Sequence, residues 1–263
     1  MSPRVVFLTG GASGIGAQVA RALAREGFGV VFTYRSSRSA AEALVEELRQ
    51  VHPGRPFACA FCRLDDLAEV AEVARDHAQR FGPIFGLVHA AGAAQDALAA
   101  MVRPAEAEAT LRVNFLSLVV LAKAFLPGMT AARCGRVVAV SSVAARFGRR
   151  GNSIYSASKA ALEAYLRCLV EEVRDRGVTV NAVAPGVVDT AMLTLDEAAR
   201  IQLRSRIPQG RLGAPSDVAE VVAFLMSEPA GYVQGATITV DGGLTAVLGG
   251  VATRAAAAER RTA

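Results

Sequence analysis

The 263-residue chain has four cysteines, no apolar run approaching the roughly 18 residues of a membrane span, and no Lys/Arg block interleaved with aromatics. Each shortage closes off a class of function. Cys59 and Cys62 form a C-x-x-C, but "FACAFC" reads as a strand, where side chains three apart point to opposite faces and cannot chelate one ion. No second Cys or His pair completes a zinc site, and Cys134 and Cys168 stand alone. No metal is therefore expected, and the cysteines read as free buried thiols, in keeping with a reducing compartment. The net charge of +5 comes from scattered arginines and partly from the C-terminal "TRAAAAERRTA", which is not a nucleic-acid footprint. The N-terminal apolar stretch in "RVVFLTGG" is too short for a signal peptide. The expectation is a soluble cytoplasmic protein with neither a nucleic-acid nor a membrane partner.

About half of the residues are apolar (52%), enough for a large core, and β-branched runs alternate with helical patterns. "RVVFLT", "GVVFTY", "PFACAF", "IFGLVHAAG", "GRVVAVSS", "VTVNAVAPG" and "ATITVDGG" read as strands. Between them lie helices over 14–25, 39–51, 66–80, a long one through Asn114, one over 153–176, and "SDVAEVVAFLMS". Parallel strands need crossovers, and each crossover helix covers one sheet face, so the fold expected is a single-domain, Rossmann-like, doubly wound α/β unit over residues 1–248 with a seven-stranded sheet. Gly27 and Gly177 are placed to cap helices that end on Arg25 and Arg176, and Pro215 to open one. Leu193 to Gly213 interrupts the alternation and is a candidate substrate lid. Residues 249–263 lack core periodicity and are expected to be a flexible tail.

"TGGASGIG" joins the first strand to the first helix. Gly10, Gly14 and Gly16 permit a sharp turn and close backbone approach, while the helix N-terminus offers N–H donors to a pyrophosphate. Ala17 and Gln18 stand where a Walker loop requires Lys and Ser/Thr. At the end of the second strand "TYRSSRS" offers Arg35 with Ser36 and Ser37 in place of an acidic ribose ligand, which suits the extra phosphate of NADP. In "YSASKAALEAYL" Tyr155 and Lys159 lie four apart, on one helix face. A phenol near pKa 10 is a poor acid or base at neutral pH, and a nearby ammonium is expected to lower it. Ser142 ends the preceding strand.

These motifs in order resemble the short-chain dehydrogenases/reductases, from about Arg4 to Thr245. The match comprises "TGGASGIG", Asn114 in "LRVNF", Ser142 thirteen residues before Tyr155, the Tyr155/Lys159 pair, "APGVVDT" and "RLGAPSDVAEVVAFLMS…GYVQGATITVDGG". The resemblance implies an oxidoreductase using NADP(H), in which Ser142 orients the carbonyl, Tyr155 is the general acid or base, Lys159 binds the nicotinamide ribose, and Asn114 holds a relay water. It places Ser13, Gly14, Ile15 and Gly16 at the cofactor with Arg35 and Ser36, Ala91 and Gly92 at the ribose, and Pro185, Gly186, Val188 and Thr190 around the nicotinamide.

Two departures stand out. The family's "NNAG" is "HAAG" here, with Ala90 replacing the Asn that braces the sheet, and Arg63 replaces an Asp expected at adenine. His89 reads as structural. The "SSVAARFGRRGNSIYSASKAALEAYL" and "IPQGRLG" runs look most like 3-oxoacyl-carrier-protein reductases, implying fatty-acid or polyketide-type biosynthesis and carrier docking at Arg133 and Arg176. Other small carbonyls or alcohols, and a dinucleotide-binding sensor, are the alternatives. The helix after Tyr155 has Leu162, Leu166, Leu169 and Val173 on one stripe and the small residues Ala161, Ala164 and Cys168 on others, so a second face is free to pack against a partner, and the family resemblance implies a homotetramer.

Overall fold

The computed structural model describes residues 4–193 and 196–247. The expected tail at 249–263, and Thr194 and Leu195 of the candidate lid, lie outside the described residues. The chain runs β1 (Val5–Thr9), α1 (Gly14–Arg25), β2 (Gly29–Tyr34), α2 (Arg38–Val51), β3 (Phe57–Phe61), α3 (Leu67–Phe81) and β4 (Ile84–His89). It continues through α4 (Pro104–Leu111), α5 (Ser117–Ala132), β5 (Gly135–Val140), α6 (Ser153–Glu172), β6 (Val178–Pro185), α7 (Glu197–Arg204), α8 (Pro215–Met226) and β7 (Thr237–Val240).

All seven strands are parallel, in the order β3-β2-β1-β4-β5-β6-β7. The central strands are predominantly apolar because both faces are covered: every residue of β1 and β6 is buried, the polar Thr9, Thr179 and Asn181 included. One face carries α1, α2 and α8 around Leu8, Leu23, Phe32 and Met226, and the other carries α3, α5 and α6 around Phe7, Leu87, Leu121 and Leu162. Each such side chain contributes about 1.5–3 kcal/mol by leaving water. Cys59 packs on the first face and Cys62 on the second, as alternation along the strand requires. Burial pushes the Cys62 thiol up to about 12. No group of side chains suited to a metal occurs among the described residues. The expectation of buried thiols holds fully only for Cys62: Cys59 and Cys134 are half-buried, and Cys168 is exposed on the outer side of α6.

Successive strands step outward from β1 to β3, and the chain then crosses back to lay β4 on the other side of β1. That reversal opens a crevice beyond the carboxyl ends of β1 and β4, the place where open parallel sheets bind ligands.

Two helices depart from the sequence reading. The long helix through Asn114 is divided: α4 and α5 are joined by a wide π-turn over Arg112–Leu116. The combined stretch Pro104–Ala132 is long and apolar enough to cross a membrane, but Leu118, Leu121, Phe125 and Met129 are buried in the core on β4 and β5. α6 ends at Glu172 rather than Arg176, because the chain turns through Asp175 at φ 56° and Gly177 at φ 68°. Within the candidate lid, α7 buries none of its residues, and Arg200 ties it to Asp189 at 2.8 Å.

Candidate active site

The crevice is built where β1 and β4 meet. Thr9, the last residue of β1, accepts the N–H groups of Ala90 and Ala91 on its hydroxyl, both at 3.1 Å, and so fixes the end of β4. Gly10 turns away at φ 71°, and a side chain there would press on Ala91. A Cβ on Gly16 would overlap the Gly10 carbonyl, so the loop closes on itself only with glycine at that position. Ser13 begins α1 in extended conformation without capping it, no acidic residue lies in the first turn, and Ile15 packs against the first core layer. The first-turn N–H groups are therefore open to an anion. Thr190, after β6, reaches over Gly14: its methyl would lie 3.5 Å from a Cβ there. Pro185 is buried at the end of β6, Gly186 N–H bonds to Val240 at 2.9 Å, and Val188 bridges to Gly213. Arg35 and Ser36 are exposed just past β2, and Arg35 makes no hydrogen bond or ion pair among the described residues, whereas Arg38 is held by Glu42 at 2.8 Å. These features fit a phosphorylated dinucleotide laid from Arg35 across the glycine loop to Thr190.

At the other side of the crevice Tyr155 and Lys159 rise from the first turns of α6. Lys159 is 3% exposed, its Nζ donates to the Val140 carbonyl at 2.8 Å, and it lies 5.8 Å from the centre of the Tyr155 ring. Gly92 sits between this ammonium and Asn114: a Cβ on it would be 3.6 Å from Lys159 Nζ and from Asn114 Oδ1. Asn114 is fully buried, accepting the Ala93 N–H at 2.7 Å and donating to the Ala93 carbonyl and the Ser158 hydroxyl, each at 2.9 Å. Ser158 donates onward to the Tyr155 carbonyl at 2.7 Å. Ser142 begins a 3-10 turn over Val143–Ala145, accepts the Ala144 N–H at 3.1 Å, and lies beside the Tyr155 phenol, whose pKa its hydroxyl lowers. The structure thus brings Asn114, Ser142, Tyr155 and Lys159 to one crevice beside Ala91 and Gly92.

The electrostatics correct the sequence reading. Lys159 does not lower the phenol in this structure: burial pushes Tyr155 up, while the Ser142 hydroxyl and the Arg149 charge oppose it. The ammonium spends its hydrogen bond on Val140, and burial drives its own pKa down to about 8. The phenol, protonated at neutral pH as any tyrosine is, becomes a weaker acid by burial rather than a stronger one.

Several supports carry no sequence signal. Glu163, 4% exposed and one turn beyond Lys159, accepts the Ser141 hydroxyl at 2.7 Å and pairs with Arg146 at 3.3 Å, clamping the strand end that presents Ser142. Asp96 pairs with Arg149 at 2.8 Å, and Ala97 N–H bonds to Gly151 at 2.8 Å, tying together the loops after β4 and β5. Arg63 is turned to α3, held by Glu69 at 2.9 Å and Asp66 at 3.1 Å. Arg133 and Arg176 sit at the amino ends of β5 and β6, where Arg133 donates to the Asp175 carbonyl at 2.6 Å. At about 3.3 Å per strand residue, β5 separates them from Ser142 by roughly 20 Å.

A Rossmann-type sheet with a serine, tyrosine and lysine at its switch point defines a dinucleotide-dependent oxidoreductase. A family model described as enoyl-(acyl carrier protein) reductase matches residues 10–245, and the chain belongs to that family, one of the short-chain dehydrogenases/reductases. Among curated relatives, a 3-oxoacyl-(acyl-carrier-protein) reductase FabG of Pseudomonas aeruginosa is 40% identical over 92% of this chain and 97% of its own. An acetoacetyl-CoA reductase of Allochromatium vinosum is 34% identical over 92% and 98%. Among solved structures, a blue fluorescent protein from a metagenomic library in complex with NADPH superposes with TM-score 0.87 at 34% identity, covering 92% and 98%. A putative NAD(P)-dependent gluconate 5-dehydrogenase from Beutenbergia cavernae with bound NADP also superposes with TM-score 0.87 at 34% identity, covering 94% and 98%.

Proposed function

We propose that the protein reduces a 3-oxoacyl thioester to the 3-hydroxyacyl thioester with NADPH. The observation that carries this is the convergence of Tyr155, Ser142, Lys159 and Asn114 on one crevice, with Gly92 between the Lys159 ammonium and Asn114. Bound NADPH supplies the hydride. Gly10, Gly14, Gly16 and the first turn of α1 take the pyrophosphate, with Ser13 and Ile15 alongside, and Arg35 and Ser36 take the 2′-phosphate. Ala91, Gly92 and Lys159 hold the nicotinamide ribose, and Pro185, Gly186, Val188 and Thr190 wall the ring. Ser142 orients the ketone, and Tyr155 gives its proton to the ketone oxygen. Asn114 supports the route by which that proton is replaced.

The relatives' names favour a carbonyl substrate, whereas the family description names an enoyl one. NADPH consumption with acetoacetyl thioester, crotonyl thioester and a panel of alcohols decides between them. Tyr155→Phe is expected to lower ketone turnover by about 10²- to 10⁴-fold while leaving NADPH affinity unchanged. Full activity in that variant overturns the assignment, turnover of crotonyl thioester alone points to enoyl reduction, and NADPH binding without turnover points to a sensor. Carrier docking at Arg133 and Arg176 belongs to the same proposal. Because those residues flank the far end of the sheet, a carrier bound there serves a neighbouring subunit's site more directly than its own. A homotetramer fits that need and the exposed outer face of α6 at Ala164, Arg167 and Cys168; a monomer by light scattering at micromolar concentration counts against both.

A further inference from the structure

His89 closes β4 with its imidazole fully buried, and its Nε2 lies 2.8 Å from the Ser117 hydroxyl. That hydroxyl donates its single hydrogen to the Val113 carbonyl at 2.8 Å. The Ser117 oxygen can therefore only accept from the imidazole, so Nε2 carries the ring hydrogen and Nδ1 is bare. Nδ1 has no hydrogen-bond partner, and burial, followed by the Lys159 charge, holds the ring neutral with a pKa of about 3.

The segment gripped by this pair is the wide turn. The Ser117 N–H reaches back five residues to the Arg112 carbonyl, so the Val113 carbonyl loses the main-chain donor it has in an ordinary α-helix. The Ser117 side chain takes that donor's place, and His89 fixes the side chain's rotation. Asn114 lies inside the same turn, aimed at Ala93 and Ser158. One residue more or fewer in a helical turn rotates one flank of the helix against the other by about 100°. The choice between wide and ordinary turn therefore decides whether Asn114 faces Gly92 and Lys159 or faces away.

We propose that His89 is a positioning residue: acting through Ser117 and the Val113 carbonyl, it locks the wide turn that aims Asn114 into the crevice. This rests on the reading that Asn114 serves carbonyl reduction, and it assigns work to the position where the chain departs from "NNAG".

The test uses the full chain with His89→Leu, which removes the donor, His89→Gln, which restores an N–H at similar reach, and Ser117→Ala, which removes one oxygen. With NADPH and acetoacetyl thioester, His89→Leu and Ser117→Ala are expected to lose about 10- to 100-fold in kcat with NADPH affinity unchanged. The double variant is expected to be no worse than either single one, and His89→Gln to recover most of the loss. Wild-type kcat in Ser117→Ala overturns the proposal even if His89→Leu fails to fold, and so does a His89→Gln as impaired as His89→Leu. A readout independent of turnover separates this proposal from the functional one. Nitrogen-15 NMR at neutral pH is expected to show His89 neutral with hydrogen on Nε2, and the Asn114 side-chain amide to shift in Ser117→Ala. Hydrogen on Nδ1, or an unmoved Asn114 amide, overturns the positioning role whether or not the ketone is the substrate.

Discussion

Lys159 puts a number on what the site costs the fold. Its ammonium has left water, has no carboxylate partner among the described residues, and keeps the Val140 carbonyl as its hydrogen-bond acceptor. A pKa of about 8 in place of 10.5 means that the charged form destabilises the folded state by about 3 kcal/mol. Between about pH 8 and 10.5 the unfolded chain still binds the proton that the folded chain has released, so stability rises with pH across that window. Below about 8 the cost is present in full. Lys159→Met keeps the stem and removes the charge, leaving the Val140 carbonyl without this donor at a cost of about 1 kcal/mol. The variant is therefore expected to be about 2 kcal/mol more stable at pH 7, about 4–8 °C in Tm, and about 100-fold or more slower in turnover. Thermal melts of both proteins from pH 6 to 9.5 provide the assay, and the advantage of the variant should shrink steadily above pH 8. A variant less stable at pH 7, or an advantage that does not change with pH, refutes the reasoning, because the ammonium would then have found compensation the structure does not contain.

Two further perturbations test the cofactor side of the crevice. Arg35→Ala removes a cation with no other partner among the described residues, and is expected to lower kcat/KM for NADPH by about 10- to 100-fold while sparing NADH, from charge-assisted bonds of about 1.5–3 kcal/mol; equal losses with both cofactors would remove Arg35 from the 2′-phosphate. Gly16→Ala sets a methyl against the Gly10 carbonyl, backbone that no rotamer can relieve, so dinucleotide affinity by fluorescence titration should fall by about 10-fold or more, with a lower Tm. Unchanged affinity there would mean that the loop is not the phosphate cradle.

The parallel sheet was legible because burial on both faces writes itself as β-branched, mostly apolar strings without a polar alternation: "VVFLT" and "VTVNAVAP" leave no solvent side to encode. The glycine loop was legible for a related reason, since Gly10 and Gly16 occupy points where a side chain meets backbone. What spacing hides is set by contacts between distant residues. "LRVNFLS" keeps an uninterrupted helical pattern, and the wide turn within it depends on His89, twenty-eight residues before Ser117. The end of α6 was misplaced because Val173 continues the buried stripe although the chain has begun to turn. The four-residue step from Tyr155 to Lys159 put both groups in one crevice, yet the direction of the phenol's shift was inverted. Proximity of charge can be read from spacing. The dielectric around it, and the Val140 carbonyl that claims the ammonium, come from strands and helices folded together, and in a buried site those decide which protonation state prevails.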